Sequence, residues 1–242
     1  MVGTRMAHFL RPQNRRELAP LFRKRPSASL EEWGASLKMN SPDQPWRTAV
    51  VAYIRQEAKP TDKYGHQPRL YALTRAIGEG LNYDDDIVFA AAWLHDLGVF
   101  IGHRPKDPAK LAAWDNVFYA IDQTPALLAE FGFPAEKVPA VLEAIRTHQP
   151  HKQPESIEAT ILRDADILEQ LGAVGILRAV SKVGRDTRYA TFSDVLPTLQ
   201  QTLDTLPALL RLPKARELAE ARIRLLEQFL TEVEAEARGE LH

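Results

Sequence analysis

The chain has no cysteine among its 242 residues. That excludes disulfides, zinc–thiolate sites and thiol catalysis, and it fits a reducing cytosol. Charge of one sign is not in excess either: 31 basic and 32 acidic side chains leave a formal net charge of -1. Such a balance gives no general reason to bind nucleic acid or a membrane surface, and neither is expected as a partner. No window of about 18 uncharged apolar residues occurs, so no membrane span is expected. Residues 6–10 are too short and too polar for the apolar core of a secretory signal, and Arg11 interrupts them. The expected location is the cytoplasm. Strict period-2 alternation, internal repeats and low-complexity segments are all missing. The fold class expected is therefore all-α.

What is present is ample apolar material, 45% of the chain, enough for a real core. Residues 1–45 stand apart. Arg11, Arg15, Arg16, Arg23, Lys24 and Arg25 make them basic, and Pro12, Pro20, Pro26, Pro42 and Pro45 interrupt them. They are expected to form a largely irregular extension. Residues 46–236 then read as helix after helix, a compact multi-helix bundle. His66 shares a stripe with Leu70, Leu73 and Ile77. Residues 82–86 supply capping and first-turn acids for the helix that follows. Ala109 to Phe131 carries one helix or two, with Pro125 the expected break. Val138, Val141, Leu142 and Ile145 form the next stripe. A helix starts at Ser156-Ile157-Glu158 and runs to Gly172, and another continues to about Gly184. The last two are expected over 192–203 and 206–236.

The run from Ile87 to Leu94 is apolar on every side, so it reads as a helix buried all round. It ends by placing His95 beside Asp96. A buried carboxylate without a partner costs several kcal/mol, roughly the penalty of any unpaired buried charge. A metal ion is the cheapest partner, and the rest of the chain offers its other ligands. His66 lies on its apolar stripe. His148 continues the stripe of Val141, Leu142 and Ile145. Arg163-Asp164-Ala165-Asp166 lies inside an otherwise apolar helix. Taken singly, each has a plainer reading: a satisfied core histidine, a helix cap, a buried acceptor. Their joint occurrence on separate helices favours a metal. Imidazole and carboxylate without thiolate suit one divalent ion, such as Mn²⁺, Fe²⁺, Mg²⁺, Co²⁺ or Ni²⁺.

These residues, in this order, resemble the HD superfamily of metal-dependent phosphohydrolases. His66-Gln67-Pro68-Arg69-Leu70 is similar to the "HxxRV" opening of one bacterial group. Ala91-Ala92-Trp93-Leu94-His95-Asp96-Leu97-Gly98 is similar to its "AALLHDIG", and Ile145-Arg146-Thr147-His148 to its "I..H". Asp164-Ala165-Asp166-Ile167-Leu168-Glu169 with the following Gly172-Ala173-Val174-Gly175-Ile176 resembles "DADRLDALGAIGIAR". The resemblance implies His66, His95, Asp96 and Asp166 as ligands of one metal. Helical periodicity by itself leans towards Asp164, nearer the stripe of Ile161, Leu168 and Leu171. The resemblance puts the ligand at the second acid and leaves Asp164 as a supporting residue, bonded to a ligand histidine or to Arg69.

The implied reaction is hydrolysis of a phosphate ester or anhydride by metal-activated water. The substrate would be a nucleotide or another small phosphorylated molecule. Asp96 would orient the water, Arg69 would neutralise phosphate charge, and His148 would face substrate or water. Lys63, His103, Arg104 and His151, with Lys106, are candidate phosphate contacts. Relatives with two metals carry a further histidine near the position of Trp114-Asp115-Asn116. Only Asp115 stands there as a substitute ligand, so one metal is expected and the di-iron oxygenase branch is a lesser alternative. Val99 and Phe100 stand where cyclic-dinucleotide phosphodiesterases have lysine and ppGpp hydrolases an acidic pair, which disfavours both substrates. Outside enzymes, the alternative is a silent nucleotide-sensing module that keeps the metal site.

Overall fold

The computed structural model describes residues 44–60, 63–184 and 189–241. Two helices that are buried nearly all round cross its centre. The first, here α3 (Asp85–Leu94), has every residue from Ile87 to Leu94 buried. The second, α7 (Ile157–Gln170), is buried at all positions from Ala159 to Glu169 except Asp166. Around α3 pack α1 (Pro45–Glu57), α2 (His66–Ile77), α6 (Val138–Thr147) and α7 itself. Against α7 pack α2, α6, α8 (Gly172–Val180) and α10 (Pro213–Ala237), while α9 (Leu196–Leu209) lies along α10. Between α3 and α6 the chain makes α4 (Pro108–Ala112) and α5 (Asn116–Phe131). The described residues contain no strand, so the fold is all-α, as expected. Among them no helix is long and apolar enough to cross a membrane. The expectation for residues 1–45 falls almost wholly outside the described residues.

Local chemistry starts α3 where the acids predicted. The Asp84 side chain accepts from the Asp86 amide at 2.9 Å, and Asp85 and Asp86 occupy the first turn. Their charge favours a helix N-terminus but must be neutralised where the turn is half-buried. Arg47 bonds Asp85 at 2.9 Å and Asp86 at 2.6 Å, and Lys137 bonds Asp84 and Asp86, both at 2.8 Å. At its other end α3 stops at Leu94, and a 3-10 turn, Leu97–Val99, follows. This break sets His95 and Asp96 at the end of a buried helix. Gly98 is required there, because a Cβ on it would overlap the carbonyl of Asn116 at the start of α5.

Two boundaries differ from the sequence expectation. Pro125 does not break α5, which runs through it. The lost hydrogen bond costs about 3 kcal/mol in an isolated helix, but Ala120, Thr124 and Leu128 bury the helix on both sides of it. The last two helices meet at Leu210–Leu212, not near Leu206. The reason lies on α7, whose Asp164 carboxylate accepts from the amides of Arg211 and Leu212 at 2.9 and 2.8 Å. Those are the free donors ahead of a helix opened by Pro213, so Asp164 caps α10 from across the core.

Candidate metal centre

His95 and His148 sit at the C-caps of α3 and α6. The last carbonyls of a helix lack partners, and each ring folds back to supply one. His95 Nδ1 lies 3.0 Å from the Ala92 carbonyl, and His148 Nδ1 lies 2.6 Å from that of Ile145. A carbonyl only accepts, so both rings carry their proton on Nδ1 and keep the Nε2 lone pair. His66, at the start of α2, reaches the same state differently, since its Nδ1 lies 3.2 Å from Glu169 Oε2. Glu169 is 2% exposed and also binds Arg69, by Nε at 3.2 Å and Nη2 at 3.0 Å.

The freed nitrogens meet. His66 Nε2 and His95 Nε2 are 3.2 Å apart. Asp96 Oδ2 lies 3.6 Å from His66 Nε2, and Asp96 Oδ1 lies 3.6 Å from His95 Nε2. Asp166 Oδ1 lies 3.7 Å from His66 Nε2. Three helices, α2, α3 and α7, thus bring four acceptor side chains to one place with no donor between them. Two nitrogens bound to one ion at about 2.1 Å, near a right angle, would stand about 3.0 Å apart. The spacing therefore fits a shared cation, and His66, His95 and Asp96 form a group that could hold a metal ion.

Electrostatics agree with this donor set. Burial lowers the His66 pKa, against the pull of Glu169, so the ring stays neutral and its lone pair free. Burial would raise the Asp96 carboxyl, but the facing His95, His66 and His148 rings whenever they are protonated, and Arg178, outweigh it and hold it well below the usual carboxylate range. Glu169 behaves alike: burial pushes it up, His66 and Arg69 pull it down, and it ends at about 2. His148 is lowered, chiefly by burial and then by His95. Its ring stands edge-on to His95 with centroids 4.9 Å apart.

Other expected residues lie elsewhere or do something else. Asp164 does not support a ligand histidine or Arg69. It is fully buried, bonded to the Arg211 and Leu212 amides just ahead of α10 and 3.4 Å from Arg163 Nη1. Residues two apart on a helix point to different sides, and Asp166 is the one on the side of the histidines. The supporting acid is Glu169, three residues on and so on the same face as Asp166. Asp115 is exposed and caps α5, accepting from the amides of Val117 and Phe118, both at 2.9 Å. It takes no part in the cluster. Both His103 nitrogens are engaged, Nδ1 with the Leu97 carbonyl at 2.8 Å and Nε2 with Glu57 at 3.2 Å. Arg104 and His151 are exposed and Lys63 is half-buried. Among the described residues none of these three is tied to the cluster by a hydrogen bond or ion pair. Glu169 and Arg178 escaped the sequence reading. Arg178 Nη1 lies 3.3 Å from both Glu169 Oε2 and His66 Nδ1. The signal for both was within "DADRLDALGAIGIAR", whose third acid and last arginine align with them.

Known proteins carry the same arrangement of chain. A family model described as HD domain matches residues 64–171. The YpgQ protein of Bacillus subtilis is 31% identical over 208 residues, covering 80% of this chain and 92% of its own length. Its crystal structure in complex with ADP superposes with a TM-score of 0.60 at 27% identity, over 79% of this chain and 94% of that one. The Lin1889 protein of Listeria innocua shares the fold, with a TM-score of 0.62 at 18% identity over 80% of this chain and 96% of its own. So does an HD-superfamily hydrolase from Bacillus thuringiensis, with a TM-score of 0.57 at 22% identity over 80% and 96%. The matched segment opens just before His66 and closes just after Asp166 and Glu169, and with a near full-length relative at 31% identity the chain belongs to the HD superfamily.

Proposed function

We propose that the protein is a metal-dependent phosphohydrolase acting on a phosphate ester or anhydride, with nucleotides the favoured class of small phosphorylated substrate. The observation that carries this reading is the pair of imidazole nitrogens 3.2 Å apart, both lone-pair bearing, flanked by two carboxylates. In this reading His66, His95, Asp96 and Asp166 hold one divalent ion. When bound, such an ion neutralises charge on a phosphoryl oxygen and makes water a stronger acid.

The chain's own residues do the rest. Asp96 stays ionised and accepts a hydrogen bond from the attacking water, which orients it. His148 keeps its Nε2 lone pair beside the cluster and accepts a proton there. Arg69 spends Nε and Nη2 on Glu169 and offers Nη1 to a phosphate oxygen. The ADP bound to YpgQ supports a nucleotide as the phosphate carrier.

The test is a panel of nucleotides and phosphomonoesters assayed with Mn²⁺, Fe²⁺, Co²⁺, Ni²⁺ and Mg²⁺, in parallel for the wild type and Asp96→Ala. Turnover by the wild type is expected with at least one pair, and loss of both turnover and metal binding in the variant. Full activity in the variant sinks the assignment. Specific nucleotide binding without any turnover would make the protein a sensor instead.

A further inference from the structure

The two carboxylates of the cluster are carried differently. Asp166 stands inside α7, whose own ladder of hydrogen bonds fixes its direction. Asp96 stands past the end of α3, at φ -100 and ψ 15, where the chain enters the 3-10 turn Leu97–Val99. Within that turn the Val99 amide bonds the Asp96 carbonyl at 3.0 Å, and the Phe100 amide reaches the Leu97 carbonyl only at 3.4 Å. A single 3-10 turn has poorer hydrogen-bond geometry than a helix, so its direction is fixed from outside. The two carbonyls that follow Asp96 each accept from a side chain. Leu97 accepts from His103 Nδ1 at 2.8 Å, and Gly98 accepts from Trp114 Nε1 at 2.8 Å. Leu97 and Gly98 are buried, so a carbonyl that lost its donor there would not find water in its place.

His103 is itself held. Its Nε2 lies 3.2 Å from Glu57 Oε2, on the last residue of α1, a contact between imidazole and carboxylate of the charge-assisted kind. Its side chain is only 9% exposed, and its ring packs against Phe100 and Tyr119 with centroids 5.6 and 5.4 Å apart. A second tie runs beside it, from the Ile101 amide to the Lys59 carbonyl at 3.0 Å. The segment after Asp96 is thus fastened to the end of α1 at two points. We propose that His103, anchored by Glu57, is a positioning residue of the metal centre. It fixes the Leu97–Val99 turn, and through that turn the direction of the Asp96 carboxylate, so that losing the clasp weakens metal binding without removing a ligand. This rests on the reading of His66, His95, Asp96 and Asp166 as the ligands of one ion, and its test needs no turnover.

The experiment is Mn²⁺ titration calorimetry on the full chain, beside urea unfolding of the same proteins. His103→Ala is expected to bind Mn²⁺ about tenfold more weakly than the wild type, the low end for residues that support metal ligands. Glu57→Ala should weaken it by a similar factor, because the ring loses its anchor. The two losses should not add in the double variant, since both residues act through one contact. Glu57→Gln, which keeps a hydrogen-bonding partner for Nε2, should restore the affinity of the wild type. A role in stability alone would lower the urea midpoints and leave the Mn²⁺ affinity of the folded variants unchanged. That result, or losses that add, overturns the proposal. If His103→Ala does not fold, Glu57→Ala against Glu57→Gln makes the same comparison with the ring in place. A wild type that binds no Mn²⁺ discards the metal reading and this proposal together, whereas equal affinity in wild type and folded variants discards this proposal alone.

Discussion

His66 and His95 face each other nitrogen to nitrogen, Nε2 to Nε2 at 3.2 Å, although each has already given its proton to a different acceptor. Two lone pairs so placed repel unless a cation lies between them. Filling the site should therefore stabilise the fold. At about 1,000-fold excess over Kd, a bound ion contributes about 4 kcal/mol. Melting should rise by several degrees with Mn²⁺ and fall with a chelator. His95→Ala should melt at the same temperature with and without the ion, and a preserved shift would refute the cluster as the binding site.

Asp164 and Asp166 should separate stability from metal binding. Asp164→Ala removes the acceptor of two amides and leaves Arg163 without its partner carboxylate in the core. A loss of about 3–5 kcal/mol is expected, as for breaking a buried ion pair, with Mn²⁺ affinity retained by the folded fraction. Asp166→Ala should do the reverse, weakening Mn²⁺ binding with little change in the denaturant midpoint. Titration calorimetry beside urea unfolding reads both.

Asp115 should prove irrelevant to metal stoichiometry. Its carboxylate is committed to the start of α5, and its removal costs about 1 kcal/mol, the usual worth of an N-cap. Elemental analysis of Asp115→Ala should give the same metal content per chain as the wild type. A drop in that content would return Asp115 to the ligand set.

Acid should unfold the protein in a window set by Glu169. Its folded pKa of about 2 lies below the ordinary 4.5 of a free glutamate. A depressed carboxyl contributes stability that is fully present above the unfolded value and is lost as pH falls through the folded one. Between about pH 4.5 and 2 the wild type should lose stability more steeply than Glu169→Gln. His66 adds a further loss as pH falls below its ordinary range, because burial keeps its folded ring neutral. Urea midpoints across pH compare the two proteins, and parallel curves would contradict the role given to Glu169.

His148→Gln should leave Mn²⁺ affinity and melting nearly unchanged while lowering kcat by about 10²–10⁴, the usual contribution of a positioned acid or base. Loss of metal with loss of activity would instead make His148 a ligand.

Much of the architecture was written locally. The apolar run of α3, the acids ahead of it and the period of the other stripes predict an all-α chain, and these are nearest-neighbour properties. The same holds for the break that leaves His95 beside Asp96 at a helix end. Where α9 gives way to α10 was not local, because Asp164 caps that junction from a residue 48 positions away. Pro125 likewise reads as a helix breaker until the burial around it is known.

The order His66, His95-Asp96, Asp166 singled out four acceptors, and the family resemblance chose between the two acids of α7. By itself the sequence determined the residue types, their helices and the need for a partner at Asp96, since helix period and burial act along the chain. Only the tertiary structure decided which nitrogen of each histidine is free, that Glu169 and not Asp164 holds His66, and that Arg178 returns to join Arg69. Those are contacts between segments as far as 112 residues apart, and side-chain direction across such a distance is set by packing.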